Sequence, residues 1–329
     1  MKKNKYKTFS EMQINESQVR PVLVSTINEN ISKNGKPFLK ITLKDGQSEQ
    51  TALMFDISAA QLADMGIKKD SIADVDISVS EYQGARNYKI KDIWLTKDND
   101  VNIKDFIRMP PVDQNVMYQE ICQLIKNSAN DYNGKYTPLS DLAIEILEHY
   151  KERYMNSSAA VSMHHNIRGG LLYHSYRMIK SADALCGVYS ILDKELMMCG
   201  TALHDIGKLW EYDTSFSGSA EFTPSGILFG HLYLGASLIK KFTDGKNYNK
   251  EKVQMLIHMI LSHHGLHEWG TVTCPSTPEA FALHYIDNID AKIYTCEDYF
   301  ENMSSGTITD KKPFGLENRL YKSKLFDSE

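Results

Sequence analysis

The stretch Leu196-Met-Met-Cys-Gly-Thr-Ala-Leu-His-Asp-Ile-Gly-Lys208 is the most informative part of this chain for its fold. Its apolar residues predict a helix, and that helix ends on two ionisable residues, His204 and Asp205. Burying such groups costs free energy unless each one is paired. A metal ion would pair both, because imidazole and carboxylate groups bind divalent cations.

The same combination of apolar runs and ionisable residues recurs along the second part of the chain. Helical periodicity is present at roughly residues 116–125, 139–150, 170–186, 194–204, 228–241, 250–263 and 278–300, and we find no strand pattern after residue 100. The ionisable residues inside or at the ends of these runs are His174, His204, Asp205, His231, His263, His264, Asp287 and Asp290. One buried histidine is usually a core residue with a hydrogen-bond partner. Five such sites on five successive helices favour a shared metal centre.

The residue types narrow the choice of metal. Histidine and aspartate without cysteine are not typical of a structural zinc site. They suit one or two divalent ions, with Mn expected first and Fe, Co, Ni, Zn or Mg as the alternatives. Two ions ~3.5–4 Å apart can clamp a phosphate group and generate hydroxide near neutral pH. The residue types therefore predict a centre of one or two metal ions in the all-α part of the chain.

The N-terminal third has a different periodicity. Alternating apolar residues predict five strands near residues 20–27, 38–43, 51–55, 75–79 and 88–94, with a short helix at 57–65. Asn34-Gly35 and Asp45-Gly46 are typical of hairpin turns. Five short strands with one helix after the third favour an all-β OB-fold barrel.

Composition excludes several classes of protein. The chain has 329 residues, of which 42% are apolar and 24% charged, which is typical of a globular protein of about two domains. Five scattered cysteines form no C-x-x-C pair, and no apolar run reaches the ~18 residues of a membrane span. We expect a reducing, cytoplasmic location and no membrane partner. The net charge of −5 disfavours a general polyanion binder, but residues 1–40 hold eight Lys or Arg against three Glu.

The motif around the first stretch resembles a known superfamily. His204-Asp-Ile-Gly-Lys208 is similar to the signature of the HD superfamily of metal-dependent phosphohydrolases, and the order H…HD…H…HH…D matches its two-metal members. The resemblance implies catalytic roles for Asp205 and Lys208, with Lys208 at the phosphate. The metal ligands that it implies are His174, His204, Asp205, His231, His263, His264 and Asp287.

Longer stretches resemble one branch of that superfamily, the bacterial YhaM-type 3′→5′ exoribonucleases. They are His164-His-Asn-Ile-Arg-Gly-Gly-Leu-Leu-Tyr-His174, Met259-Ile-Leu-Ser-His-His-Gly265 and Leu283-His-Tyr-Ile-Asp-Asn-Ile-Asp290. Those nucleases also carry an N-terminal OB domain, and Ser32-Lys-Asn-Gly-Lys-Pro-Phe38 is similar to its first hairpin. The resemblance extends from about Val19 to Tyr321.

The resemblance implies a metal-dependent 3′→5′ exoribonuclease, with single-stranded DNA as a second substrate, that releases nucleoside monophosphates. The attacking group would be a metal-activated hydroxide. One alternative is an HD-domain nucleotide or cyclic-nucleotide phosphohydrolase, because a fold does not fix its substrate. Another is a nucleic-acid-binding module with an inactive HD domain. The oligomeric state stays open, and a homo-oligomer is one option.

Other residues are expected to contact substrate or support the ligands. His165 and Arg168 precede the first ligand and are placed near the scissile phosphate, while Asp290 is expected to orient a ligand. On the barrel, aromatic and basic side chains suit single-stranded nucleic acid, and the contacts that we expect are Lys36, Phe38, Tyr82, Arg86 and Tyr88. The same aromatic positions also suit a barrel core, and both interpretations stay open here.

Together these patterns predict a multidomain chain, with an OB-fold barrel followed by an all-α HD domain. The predicted division is a basic N-terminal extension at 1–18, an OB-fold nucleic-acid-binding domain at 19–97, a helical connector at 98–155, an HD phosphohydrolase domain at 156–300 and a C-terminal tail at 301–329.

Overall fold

The computed structural model describes residues 6–9, 11–32, 34–46, 48–82, 85–97, 101, 103–160, 167–301 and 303–327. The chain forms two compact units. The first, here the barrel unit, comprises Met1–Met109 with Ser215–Ser219, and the second, the helical unit, comprises Pro110–Thr214 with Ala220–Glu329. Residues 110–155 therefore belong to the same compact unit as the region from 156 onward. The five-part division made from the sequence stays a prediction.

The barrel unit is a closed five-stranded barrel. Its strands are β1 (Ser17–Ile31), β2 (Pro37–Lys44), β3 (Glu49–Phe55), β4 (Ile72–Tyr82) and β5 (Ala85–Leu95), and α1 (Ala59–Asp64) lies between β3 and β4. The strands follow each other around the barrel in the order β1-β2-β3-β5-β4. The neighbours pair antiparallel except β3 and β5, which run parallel. This arrangement confirms the predicted OB fold.

Side-chain alternation fills the barrel. In β2, Leu39, Ile41 and Leu43 point into the core, whereas Phe38 and Lys40 lie on the outer face. This is the period of two that one buried face requires.

The N-terminal segment contributes to the same core. Phe9 and Met12 are both buried there, although the sequence places them in an extension. The backbone N–H of Phe9 donates to Asp45 at 2.9 Å, and the hydroxyl of Tyr88 donates to the Phe9 carbonyl at 2.8 Å. The described part of residues 6–16 is therefore built onto the barrel.

The helical unit contains nine α-helices among the described residues. They are α2 (Gln114–Asn127), α3 (Leu139–His149), α4 (Lys151–Asn156), α5 (Gly170–Val188), α6 (Lys194–Leu203), α7 (Lys208–Glu211), α8 (Pro224–Thr243), α9 (Lys250–Ser262) and α10 (Pro278–Glu301). They share one hydrophobic core. No described helix is both long enough and apolar enough to span a membrane.

The helix boundaries follow local signals. Asp193, Thr223 and Asn249 cap α6, α8 and α9 through side-chain oxygens that accept backbone N–H bonds. The expectation of no strands in this part was wrong at one place, a hairpin of β6 (Tyr212–Thr214) and β7 (Ala220–Phe222). Strands of three residues are too short to produce an alternating pattern.

Candidate metal centre

Five helices bring the seven predicted ligands together. His174 lies in α5, His204 and Asp205 directly follow α6, His231 lies in α8, His263 and His264 directly follow α9, and Asp287 lies in α10. These residues form three groups, and within each group the potential ligand atoms lie within 4.8 Å of one another. These groups are His174, His204 and Asp205; His204, His263 and Asp287; and His231, His263 and His264.

Each of the five imidazole rings has an oxygen acceptor at its Nδ1 atom. The Nδ1 atoms contact Asp290 Oδ2 (2.7 Å from His174), the Thr201 carbonyl (2.9 Å from His204), Glu211 Oε1 (3.0 Å from His231), the Ile260 carbonyl (2.8 Å from His263) and the Trp269 carbonyl (3.0 Å from His264). An acceptor at Nδ1 fixes the orientation of each ring, so each Nε2 points into the cluster. The Nε2 atoms of His204 and His174 face each other at 3.2 Å, and those of His231 and His264 at 3.1 Å. A bound cation would take the place of both of these nitrogen–nitrogen contacts.

Asp205 has a buried carboxylate oxygen that a metal ion could bind. Its side chain is buried, and Oδ2 accepts a bond from the Lys208 ammonium at 2.7 Å. Its Oδ1 is buried without a hydrogen bond, and it lies 3.5 Å from Nε2 of His231 and 3.7 Å from Nε2 of His263. An ionised, buried oxygen is costly unless it is paired or binds a metal. The donor set and this orphaned oxygen therefore fit a divalent metal.

Local backbone geometry places His231. Gly230 has φ 67° and ψ 159°, which kinks α8 and is accessible essentially only to glycine. Past the kink, the backbone N–H and Nδ1 of His231 both contact Glu211 Oε1, each at 3.0 Å. The glycine of the HD motif has a packing reason, because a Cβ on Gly207 would lie 2.0 Å from the His231 carbonyl oxygen.

The charges of the cluster alter its proton affinities. Burial disfavours the charged form of His174, but hydrogen bonds and charges from Asp287 and Asp290 outweigh it and raise the pKa of His174 to about 10. Burial and the neighbouring His231 lower the pKa of His264 to about 4. Burial opposes ionisation of Asp205, yet Lys208 and His204 hold the pKa of Asp205 well below its ordinary value. At neutral pH this cluster holds ionised carboxylates, a proton at His174 and a neutral imidazole at His264.

Six of the seven predicted ligands, all except His204, line a cavity of about 380 Å³ in the helical unit. Lys208, Tyr212, Trp269 and Asn288 also line it. That volume is at the lower end of small-molecule pockets, ~300–1,000 Å³, and suits one terminal nucleotide better than a duplex.

The remaining predicted residues of the helical unit are placed as follows. Asp290 is buried against His174, where it can orient that ring. Arg168 is partly buried just before α5 and is not among the residues that line the cavity. His165 lies outside the described residues. The ligand set and the roles drawn from it stay predictions.

Three of the predicted nucleic-acid contacts on the barrel are Phe38, Arg86 and Lys36. Phe38 lies on the outer face and stacks on Phe55 with ring centroids 5.7 Å apart, and Phe55 is 48% exposed. Arg86 is exposed, and the Lys36 ammonium pairs with Asp56 at 2.9 Å.

The last two predicted barrel contacts are Tyr82 and Tyr88. The backbone of Tyr82 ends β4, and its side chain lies outside the described part. The prediction that Tyr88 contacts nucleic acid was wrong. Tyr88 is only 4% exposed in the barrel core, and its hydroxyl donates to the Phe9 carbonyl. A ring enclosed in this way cannot stack on a bound base.

Three supporting residues were missed in the sequence. Glu211 follows the HD motif at a spacing of one helical turn from Lys208, which is a usable signal for a residue near the centre. His284 contacts the His263 carbonyl at 2.8 Å through Nδ1. Trp269 holds His264 through its main-chain carbonyl, for which side-chain patterns give no signal.

The chain is similar to known proteins over most of its length. The HD domain family matches residues 171–292. The chain is 32% identical over 308 residues to the 3′-5′ exoribonuclease YhaM of Geobacillus sp. (strain WCH70), which covers 93% of this chain and 92% of the relative. It is 32% identical over 306 residues to the 3′-5′ exoribonuclease YhaM of Bacillus subtilis (strain 168), with 93% and 94% covered.

Solved structures similar to this chain cover 27–28% of it. One is the second OB-fold domain of replication protein A from Methanococcus maripaludis, at 21% identity and a TM-score of 0.22, covering 28% of this chain and 96% of that one. Since these values are low, the OB assignment rests on the strand order of the barrel. The two curated relatives match nearly end to end, and the chain therefore belongs to the YhaM family of 3′-5′ exoribonucleases, with an HD domain.

Proposed function

We propose that this chain is a metal-dependent 3′→5′ exoribonuclease that releases nucleoside monophosphates and also accepts single-stranded DNA. The observation that carries the proposal is the set of five imidazoles, each fixed through Nδ1, whose Nε2 atoms converge beside Asp205 and Asp287. The printed activity of both curated relatives supports the same reaction.

The seven ligands would hold one or two ions. When bound, a divalent ion there supplies hydroxide near neutral pH and neutralises charge on the phosphate. The set contains imidazole and carboxylate groups without thiolate. We assign Mn as the first choice because the carboxylates of the set suit it, with Fe, Co, Ni, Zn or Mg as the alternatives.

Lys208 acts on the substrate directly. Its ammonium lies 2.7 Å from Asp205 Oδ2 and lines the cavity. Burial opposes its charge, but Asp205 outweighs that effect and raises the pKa of Lys208. Lys208 therefore stays cationic at neutral pH and stabilises negative charge that develops on the phosphate oxygens.

The barrel unit holds single-stranded RNA. The stacked Phe38–Phe55 pair on its outer face, with exposed Lys40 in the same strand as Phe38, combines a stacking surface with positive charge. The five cysteines are free thiols, which fits the reducing cytoplasm that we propose as its location. A homo-oligomer stays a prediction.

The test compares the Mn-loaded protein with the double variant His204→Ala, Asp205→Ala on 5′-labelled single-stranded RNA. We expect a ladder shortened from the 3′ end and monophosphate products from the wild type, and neither from the variant. His149→Ala is the matched control, because that ring packs on Tyr150 and Phe242 away from the centre. Undiminished product from the double variant would contradict the proposal.

A substrate panel separates the alternatives. Free nucleotides, cyclic dinucleotides and single-stranded DNA are assayed beside RNA under the same conditions. Faster hydrolysis of free or cyclic nucleotides than of RNA would favour a nucleotide phosphohydrolase. Stoichiometric metal without hydrolysis of any of these substrates would favour a binding module.

A further inference from the structure

The cavity wall carries an aromatic side chain that the hydrolytic chemistry does not use. Trp269 is 50% exposed and lines the same cavity as Lys208, His231 and Asp287. Single exposed apolar residues are common, but this one borders the place where the terminal phosphate is proposed to bind.

Packing and hydrogen bonds hold Trp269 in place. Its backbone N–H donates to the Leu266 carbonyl at 2.9 Å, and its own carbonyl contacts His264 Nδ1 at 3.0 Å. Its ring lies against His284 with centroids 5.8 Å apart and planes at 41°. A side chain that is already ordered loses little entropy when a ligand packs on it.

We infer that the indole ring of Trp269 stacks on the base of the 3′-terminal nucleotide. Every base has a π-face, so stacking accepts all four bases, as an enzyme that removes successive nucleotides requires. Tyr212, which also lines the cavity, packs edge-on against Phe222 at 5.0 Å and is less exposed than Trp269. This inference rests on the proposed function and names the group that binds the base.

A fluorescence titration tests the stack without hydrolysis. The chain has three tryptophans. Adenosine 5′-monophosphate added to the Mg²⁺-loaded protein should quench part of their emission, whereas ribose 5-phosphate should not. Trp269→Phe should remove the nucleotide-dependent part, and an unchanged quench in that variant would overturn the inference.

Kinetics test the same contact during turnover. On RNA whose 3′-terminal nucleotide lacks its base, wild-type kcat/KM should fall about 5- to 150-fold, the range of one base–aromatic stack. Trp269→Ala should show that loss on intact RNA and no further loss on the abasic substrate. Trp269→Phe should recover most of the activity, and Tyr189→Ala, at a 55% exposed ring outside the cavity lining, should match the wild type.

The metal content of Trp269→Ala shows whether a loss of activity comes from a lost base contact or from a damaged metal centre. It should stay at the wild-type value in Trp269→Ala, because the carbonyl that holds His264 belongs to the backbone. An equal loss of activity on intact and abasic RNA would overturn the inference. If the wild type hydrolyses neither RNA, the proposed function fails, and the fluorescence titration still decides the role of Trp269.

Discussion

Asp290 influences the centre without being one of its predicted ligands. Its Oδ2 contacts His174 Nδ1 at 2.7 Å, and its Oδ1 pairs with Arg177 Nε at 2.6 Å. Arg177 also binds Glu297 at 2.5 Å. This row of contacts fixes the His174 ring and increases its basicity, as outer partners of metal-bound histidines do.

Asp290→Asn should weaken metal binding about 10- to 100-fold, the usual effect of losing such a partner. Competition with a fluorescent chelator at pH 7.5 measures it. Asp183→Asn, which removes a surface carboxylate paired with Lys194 at 2.7 Å, is the control and should bind metal normally. Equal affinity in both variants would show that Asp290 does not support the ligand.

Metal binding should release about one proton from His174. The pKa of His174 is raised to about 10 by its two carboxylate partners, so the metal-free ring is protonated between pH 6 and 8. A cation at Nε2 displaces that proton, and its apparent affinity should therefore rise about tenfold per pH unit in this window. Calorimetry in two buffers with different ionisation heats counts the protons, and a count of zero would contradict this prediction.

The residues that gather in this cluster could be predicted from the sequence because polar residues inside apolar helical runs stand out. Their supports could not all be predicted. Three of the five Nδ1 acceptors are backbone carbonyls, namely those of Thr201, Ile260 and Trp269, and a carbonyl is present at every residue. Tyr88 was misplaced because aromatic strand residues suit either face, and only the register places its ring inside the barrel.

At the scale of elements, α8 was predicted from residue 228 and in fact begins at Pro224, behind the Thr223 cap. The cap and the following proline are recognisable helix-start signals. The kink at Gly230 was not predictable, because a helical pattern continues on both sides of it. β1 runs from Ser17 to Ile31, beyond both of its predicted bounds, and a bulge between Val24 and Thr26 interrupts its register.

Gly230→Ala should destabilise the protein by about 1–3 kcal/mol, since alanine is strained at this φ and ψ. Metal affinity should fall with it, because the kink directs His231 at Glu211. Gly187→Ala is the matched control: it lies in α5 with nothing within 4 Å of the new Cβ, and should be neutral or stabilising by about 0.4–1 kcal/mol. Thermal unfolding measures both, and equal melting temperatures would refute the role of the kink.

At the scale of the whole molecule, recognition and hydrolysis are assigned to different compact units. Phe38→Ala with Phe55→Ala should raise KM on a 30-nucleotide RNA by about 5- to 150-fold per lost stack. Hydrolysis of a dinucleotide should be unchanged, because it is too short to need the barrel. Trp94→Ala, another partly exposed aromatic change on the barrel, is the control, and an equal effect on both substrates would argue against RNA binding at the pair.

The buried Phe9 and Met12 have a practical consequence for anyone who isolates the barrel. A fragment that starts at Ser17 would keep all five strands but lose two core side chains, each of which contributes about 2–5 kcal/mol in typical cores. A whole domain is stable by only about 5–15 kcal/mol. Expression fragments for nucleic-acid titrations should therefore begin ahead of Phe9, and affinity tags should be attached beyond that segment rather than in its place.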